Sequence, residues 1–330
     1  MNANQMKAIV ASGYGTPEVL KFISVEKPAP GPKDVLIKVI ASAATTADTM
    51  MLTGKPYIAR LFVGLTKPKH PIPGTGFAGV VEAVGSEVTQ FAVGDEVFGE
   101  TTLGFSTNAE YVVVPANGVV LPKPASLPFA EAASYCDGHL TSYNFLKRIA
   151  QVQPGQRVLV NGAAGSLGTS AIQIAKYLGA HVTGVCSSKN TGLVKSLGAD
   201  EVIDYQKQDF TRLTAQYDVI FDTVGKTPFT KAKQALAEPG MYMSPVLRFS
   251  LLMQMITSSL FGKKKAKFEA TGANADDTLK SLLLEVVDLH KNGKLKTVID
   301  RQYTLERVAE AHHYIASGHK KGNVVIVVAA

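Results

Sequence analysis

The chain has 330 residues, 46% hydrophobic and 18% charged, with a formal net charge of +7. This is ordinary globular composition, long enough for two domains with cores of their own. Two cysteines, Cys136 and Cys186, allow one disulfide but do not suggest a stapled secreted fold, and a reducing, cytoplasmic setting is expected.

Residues 1–10 lack the apolar core of a signal peptide, and no uncharged stretch reaches membrane-spanning length, so no integral membrane segment is expected. The Lys and Arg residues are scattered, with one dense run at Lys263-Lys264-Lys265. Scattered charge reads as solvated surface, and no nucleic-acid partner is expected. A mildly positive field suits an anionic, phosphate-bearing ligand.

The first part of the chain reads as β-rich. Asp34–Val39 alternates like a half-buried strand, and Gly79–Val84, Gly94–Gly99 and Ala109–Val114 are further short strands broken by Gly and Pro. Pro122 and Pro124 mark a boundary before a helical stretch at Pro128–Ala150.

From about Pro154 strands and helices alternate: strand Arg157–Asn161, helix Ser166–Leu178, strand His181–Cys186, helix Thr191–Leu197, strands Glu201–Asp204 and Asp218–Thr223. Helix Lys226–Ala237, strand Met241–Val246, a last strand at Lys267–Thr271 and helix Asp276–Lys291 are expected next. Alternation of this kind predicts a parallel sheet covered on both faces. The tail reads as helix Leu305–Ser317 and strand Asn323–Val328, with the strand returning to the first domain.

A buried strand, a glycine-rich turn and a helix follow one another at residues 157–178. The turn is Gly162-Ala163-Ala164-Gly165-Ser166-Leu167-Gly168. Such a turn lets backbone N–H groups reach a pyrophosphate, and the helix N-terminus adds its positive partial charge. Gly168 allows helix to pack closely on strand, and the spacing is G-x-x-G-x-x-G, with Ala164 where a middle glycine usually stands. A tight turn without a ligand is the alternative. The βαβ units downstream favour a dinucleotide.

NAD-specific sites place an acid at the end of the second strand. Here that end reads Val185-Cys186-Ser187-Ser188-Lys189-Asn190, without an acid. Ser187, Lys189 and Tyr205, the last just after the third strand, suit a 2′-phosphate, so NADPH is the expected cofactor. Ser187 also fits a helix N-cap, and both roles can hold together.

At this point the chain resembles the medium-chain dehydrogenase/reductase superfamily, within it the zinc-independent quinone oxidoreductases and alkenal/enone reductases. The markers are Gly79–Gly85, Val93–Gly99, the turn at 162–168, Lys195–Tyr205 and Ser317–Ile326. The resemblance implies an α/β fold: a GroES-like catalytic domain from both chain ends (1–125 and 294–330) around a Rossmann domain (126–293). It also implies a cofactor cleft and a homodimer. It places cofactor contacts at Thr141, Asn161, Ala164, Gly165, Ser166, Leu167, Gly168, Cys186, Thr223, Val224 and Asn323, besides Ser187, Lys189 and Tyr205.

Zinc-dependent relatives use a Cys, a His-Glu pair and a second Cys or equivalent, and a catalytic zinc needs about three protein ligands. This chain reads Ala43-Ala44-Thr45-Thr46 and Gly74-Thr75-Gly76 at the first two places, and only Cys136 remains near a ligand position. The four-cysteine structural lobe is absent after Val97, so no metal is expected. His312-His313 is an adjacent pair on a helix, where neighbours point in different directions, and reads as surface.

Hydride transfer is largely the cofactor's chemistry, with the protein supplying position and electrostatics. In the segment Ala41–Asp48, Asp48 matches the family, Thr45 replaces an asparagine near the nicotinamide, Met50 stands where some quinone reductases carry a tyrosine, and Leu52 replaces an arginine. Asp48, Met50, Met51 and Tyr57 are the expected substrate pocket, made more apolar by the methionines. In Tyr135–Tyr143, Asp137 and His139 put titratable groups where a proton relay is possible. With Thr45 they are the catalytic candidates. The plainer reading is a helix whose polar groups satisfy backbone or face water.

The apolar stretch Phe249–Phe261, followed by three lysines, reads as a pocket flap or dimer contact, with an interfacial amphipathic segment as the alternative. The expected function is NADPH-dependent reduction of a small hydrophobic quinone or α,β-unsaturated carbonyl. An enoyl-thioester reductase and a non-catalytic NADPH-binding redox sensor are the competing readings.

Overall fold

The computed structural model describes residues 4–329. In chain order the strands are β1 (Gln5–Ala11), β2 (Leu20–Glu26), β3 (Asp34–Ala44), β4 (Gly76–Val84), β5 (Glu96–Glu100), β6 (Tyr111–Pro115) and β7 (Val120–Pro122). Then come β8 (Arg157–Asn161), β9 (His181–Cys186), β10 (Glu201–Asp204), β11 (Tyr217–Asp222), β12 (Leu236–Ser244), β13 (Lys264–Phe268), β14 (Ile299–Thr304) and β15 (Asn323–Val327).

The strands divide between two units. The first comprises Met1–Asp137, Gly272–Leu283 and Ile299–Ala330. Its main sheet runs β14-β15-β3-β4-β5-β7, with β6 also on β3, and β1 pairs with β2 in a separate ribbon. The pleat of β3 explains its core. Val35, Ile37 and Val39 point to one face and pack with Phe77, Val81, Val97, Val112, Val114 and Val120. Each fully buried side chain of this size contributes about 1.5–3 kcal/mol of transfer free energy. The tail strand β15 pairs antiparallel with β3, so the chain end returns to the first unit.

The registers bring several chain segments to one end of this sheet. Val324 pairs with Ala44, Ser42 with Phe77, and Gly76 with Glu100. The segments leaving that end are Thr45–Asp48, Thr75, Thr101 and Lys320–Gly322. A Cβ on Gly76 would lie 2.5 Å from the carbonyl oxygen of Ala133, so the segment leading to Asp137 runs over the same end.

The second unit comprises Gly138–Thr271 and Leu284–Val298. Its sheet is parallel throughout, in the order β10-β9-β8-β11-β12-β13. Numbered from its first strand, this is 3-2-1-4-5-6, the doubly wound order whose reversal between the first and fourth strands makes a ligand crevice. The near-continuous apolar runs in β8 and β11 are what a strand buried on both faces requires.

Several elements differ from expectation. The helix at 128–150 is interrupted. Phe129–Ala132 is α-helical, and Tyr135–Leu140 and Asn144–Ile149 are π-helical turns on either side of Thr141–Tyr143. Widened turns of this kind re-aim side chains without ending the helix. The helix expected at 226–237 is only Phe229–Ala232, because the chain enters β12 at Leu236. The last strand starts at Lys264 rather than Lys267. Strands β1, β2, β7 and β14 were not foreseen.

The stretch Phe249–Phe261 is a regular helix on the crossover from β12 to β13. Leu251 packs into the core of the second unit with Met255 against it, while Phe249, Met253, Ile256 and Leu260 are exposed on the other side. His312 corrects the surface reading of the histidine pair: it is fully buried, on the face shared by Val308, Ala311 and Ile315. Its Nδ1 lies 2.9 Å from Thr49 Oγ1. Only His313 is exposed, 2.9 Å from Glu18.

Candidate active site

The glycine turn sits at the strand-order reversal, between the ends of β8 and β11. Gly165 precedes the helix Ser166–Tyr177 in extended conformation and offers it no side-chain cap. The helix's first-turn N–H groups have no intrahelical partners by construction. The two later glycines differ in kind. A Cβ on Gly168 would lie 2.2 Å from the carbonyl oxygen of Gly162 and 2.7 Å from the backbone of Ala163, so the fold itself demands glycine there. A Cβ on Gly165 would meet nothing nearer than 3.5 Å. The protein's packing therefore does not require glycine at 165, and the backbone there lies open. The residues present fit a dinucleotide.

Around this turn the second unit gathers most of the expected cofactor residues. Ser142 Oγ donates to the carbonyl of Leu167 at 2.9 Å, tying the Thr141 segment to the turn. Thr223 Oγ1 donates to the carbonyl of Asn161 at 2.8 Å. Asp222, which the sequence analysis passed over, organises this corner. Fully buried, it accepts from Asn161 Nδ2 (2.8 Å), Val224 N–H (3.1 Å), Gly225 N–H (3.0 Å), Thr227 N–H (3.2 Å) and Tyr242 O–H (2.8 Å). Burial, then the Asp222 charge, raises the Tyr242 phenol strongly, so it remains a donor. The signal available in sequence was an acid ending an otherwise apolar strand.

At the outer edge, Tyr205 N–H donates to the carbonyl of Cys186 at 3.1 Å, bringing the residues after β10 beside those after β9. Ser188, Lys189 and Tyr205 are exposed there, Ser187 is half-buried, and the Cys186 side chain is buried. Ser187 caps the short turn Ser188–Asn190 by position only, with no side-chain cap bond. Asp204 is a further residue of this edge that sequence reasoning missed. It accepts from Ser188 Oγ at 2.5 Å and from Gln206 N–H at 3.1 Å, and the Ser188 bond is the main cause of its lowered pKa.

His139 lies in the core of the second unit, 1% exposed. Its Nδ1 is 2.8 Å from Ser170 Oγ and its Nε2 is 3.0 Å from Thr297 Oγ1. The Ser170 hydroxyl gives its hydrogen to the carbonyl of Ser166, so Nδ1 carries the ring proton and Nε2 accepts. Burial, then the neighbouring His290, pushes its pKa down to about 3. With both nitrogens engaged and the ring neutral, this geometry favours a positioning role over proton donation.

In the first unit the other candidates collect at the sheet end. Thr45 caps the helix Thr46–Thr53 in a capping box: its Oγ1 accepts from Asp48 N–H at 3.0 Å and donates to Asp48 Oδ2 at 2.8 Å. The Thr45 hydroxyl proton is thus committed to Asp48. Asp48 is 1% exposed, and burial, opposed by the Thr45 bonds and aided by Asp137, raises its pKa to about 6. Glu100, not foreseen, is raised to about 7 by burial and then by Asp137 and Asp48. Lys320 faces Asp137, Asp48 and Asp300, with burial lowering its pKa against them. The turn that carries it is tied by Asp300, which accepts from Lys321 N–H (2.7 Å) and Tyr314 O–H (2.6 Å).

Asp137 is half-buried and Asn323 buried at this end, while Met50 and Met51 are half-buried and Tyr57 is 66% exposed. Asp48 and Met51 line a small cavity of about 30 Å³ with Tyr14, Leu52 and Phe105. A cavity of about 630 Å³ is a groove on the first unit, lined at the acid-bearing sheet end by Glu100 and Thr101 and not by Asp48, Met50, Met51 or Tyr57. Among the described residues no group of three or more His, Cys, Asp or Glu is arranged to hold a metal ion. No helix among them is long and apolar enough to cross a membrane.

A doubly wound dinucleotide sheet in one unit and, in the other, a strand-rich sheet that collects carboxylates at one end define a dehydrogenase-type architecture. Residues 31–125 match the alcohol dehydrogenase GroES-like domain, and residues 197–326 match the family described as zinc-binding dehydrogenase. The chloroplastic quinone-oxidoreductase homolog of Spinacia oleracea is 32% identical, covering 99% of both chains. The chloroplastic NADPH-dependent alkenal/one oxidoreductase of Arabidopsis thaliana is 33% identical over 98% of this chain and 79% of its own. The structure of a quinone oxidoreductase from Coxiella burnetii superposes with a TM-score of 0.87 at 28% identity, covering 98% of this chain and 100% of that one. The chain belongs to the medium-chain dehydrogenase/reductase superfamily, in its quinone oxidoreductase and alkenal/one reductase group.

Proposed function

We propose that the protein is an NADPH-dependent, zinc-independent reductase of small hydrophobic quinones or α,β-unsaturated carbonyls. The observation that carries this is the opening at Gly165, at the reversal of a 3-2-1-4-5-6 sheet, where a Cβ would obstruct a ligand rather than the protein. Lys189 and Tyr205 are exposed beside the half-buried Ser187, and no acid ends β9, which suits a 2′-phosphate. The names of the relatives support the same class of chemistry.

In this reading NADPH, when bound, supplies the hydride. Ser166, Leu167 and Gly168 hold its phosphates through backbone N–H groups, with Ala164 and Gly165 shaping the turn. Thr141, Asn161, Thr223 and Val224 hold the middle of the cofactor, Cys186 borders it through backbone, and Asn323 is carried over from the family resemblance as a further contact. Met50, Met51 and Tyr57 give the acceptor an apolar wall, and Asp48 and Thr45 fix the helix that carries them. Asp137 handles the proton, and His139 holds the segment between Asp137 and Thr141 in place.

Two further parts belong to the proposal. The protein works as a homodimer, since β13 is the edge of the six-stranded sheet and the neighbouring helix 249–261 exposes apolar residues. It works in the cytoplasm, in keeping with two cysteines that form no disulfide.

An acceptor screen followed by NADPH absorbance, with NADH as control, tests the reading. Turnover of 1,4-benzoquinone, 9,10-phenanthrenequinone or a short enone is expected. Turnover confined to enoyl thioesters selects the thioester reductase instead. Tight NADPH binding with no turnover selects a non-catalytic sensor.

A further inference from the structure

We propose that Glu100 is the proton entry of the site. It takes protons from the open groove on the first unit and passes them through Asp137 to the newly reduced acceptor, with Lys320 as the positioning cation of the relay. This rests on the reductase reading above.

The placement follows from strand register. Glu100 ends β5 opposite Gly76, at the sheet end from which Thr45–Asp48 and Lys320–Gly322 also depart. Glu100 looks two ways. It lines the groove of about 630 Å³ together with Thr101, Tyr111 and Asp276, and the charges of Asp137 and Asp48 reach it at the sheet end. Its side chain is half-buried, as a residue between a wet groove and a dry interior must be.

The charges around it are unequal. Glu100 feels the charges of Asp137, Asp48 and Asp276, and the Cys136 thiol those of Glu100 and Asp137. Lys320 is the cation set against Asp48 and Asp137. Among the described residues Glu100 forms no ion pair of its own. Glu100, Asp137, Asp48 and Asp276 set four carboxylates against one ammonium, and the like charges raise the proton affinity of Glu100, which no cation offsets. A second feature points the same way. Oδ1 of Asp48 is buried without a hydrogen-bond partner, although Oδ2 is saturated, so the interior side of the cluster offers an acceptor for a mobile proton.

The balance is simple. Hydride addition forms a C–H bond, reduces the acceptor by two electrons, oxidises the nicotinamide and leaves an oxyanion. Glu100 passes its proton to Asp137, and Asp137 passes that same proton on to the oxyanion. The Glu100 carboxylate is then reprotonated by water in the groove. One proton enters per turnover.

Three purified proteins test this: wild type, Glu100→Gln and Lys320→Met. Infrared difference spectra of the holoprotein across pH 5–9 read a protonated carboxyl independently of turnover. The wild type is expected to show a carboxylic-acid C=O band that titrates near pH 7 and is missing in Glu100→Gln. In Lys320→Met the titration moves to higher pH. With a turned-over quinone or enone, Glu100→Gln is expected to lower kcat at least 10-fold at pH 8, to flatten the kcat–pH profile and to change the solvent deuterium isotope effect. NADPH affinity stays within 2-fold. If wild type reduces the acceptor and Glu100→Gln keeps its infrared band and pH profile, the relay is overturned. If wild type reduces nothing yet shows the titrating Glu100 band, the reductase reading fails while the Glu100 assignment stands.

Discussion

Thr45 and Asp48 hold each other through a single carboxylate oxygen. Oδ2 accepts from the Thr45 backbone N–H at 2.9 Å and from its hydroxyl at 2.8 Å, while Oδ1 stays buried without a partner. The pair starts the helix Thr46–Thr53 and keeps an acid in the interior of the first unit. Asp48→Ala removes both acceptors and leaves the Thr45 N–H unpaired. A loss of about 2 kcal/mol is expected by chemical denaturation. Asp48→Asn keeps the shape and should cost less.

Stability should respond to pH in two opposed ways. Asp48, at about 6, and Glu100, at about 7, lie above the unfolded carboxylate range near about 4. Their contribution is whole below that range and is lost as pH rises through 6 to 7. His139, at about 3, and His312, at about 4, lie below the unfolded value of about 6.5. Their contribution is present above that value and is lost as pH falls. Glu100→Gln should therefore raise the Tm at pH 8 relative to wild type and change it little at pH 5, as differential scanning calorimetry would read. An unchanged pH slope would contradict the assignment.

Removing the His139 ring should damage the fold more than the chemistry. His139→Ala leaves the Ser170 and Thr297 hydroxyls facing a cavity, at a cost of about 2–4 kcal/mol. The kcat–pH profile of the remaining folded enzyme is expected to keep its shape. A lost limb of that profile would restore His139 as a proton donor.

The two turn glycines should separate folding from binding. Gly168→Ala forces backbone apart at 2.2 Å and should lower both the Tm and NADPH affinity. Gly165→Ala has room, with its nearest neighbour at 3.5 Å, and should keep its Tm while weakening NADPH binding at least 10-fold in a fluorescence titration. Normal binding by Gly165→Ala would remove the phosphate from this turn.

The outer edge predicts cofactor preference. Lys189→Glu should weaken NADPH about 10-fold or more and leave NADH nearly unchanged, because only the former carries a 2′-phosphate. Asp204→Asn should act in the opposite direction, since it removes the one carboxylate held by Ser188 at this edge.

The sequence was most legible where structure is local. β8, the glycine turn, its helix and β9 follow from buried runs and glycine spacing alone. The broken helix at 135–149 was not legible, because π-helical turns leave no mark in hydrophobic periodicity. β12 and β13 were misplaced because Leu236 and Lys264 read equally well as helix and loop. The acid-lined sheet end was invisible for another reason. Asp48, Glu100, Asp137 and Lys320 are brought together by strand registers between distant segments, and only Asp48 and Asp137 were singled out. His312 could have been found, since it shares the spacing of Val308, Ala311 and Ile315, one helical stripe.

Hydride transfer itself is the most direct test of the account. NADPH carrying deuterium at C4 would be incubated with the protein and a short enone, and the product read by mass spectrometry and NMR. The account predicts one deuterium at the β-carbon, a solvent proton elsewhere, and a much slower reaction with NADH. NADPH that binds but leaves no label in any quinone or enone product would contradict it.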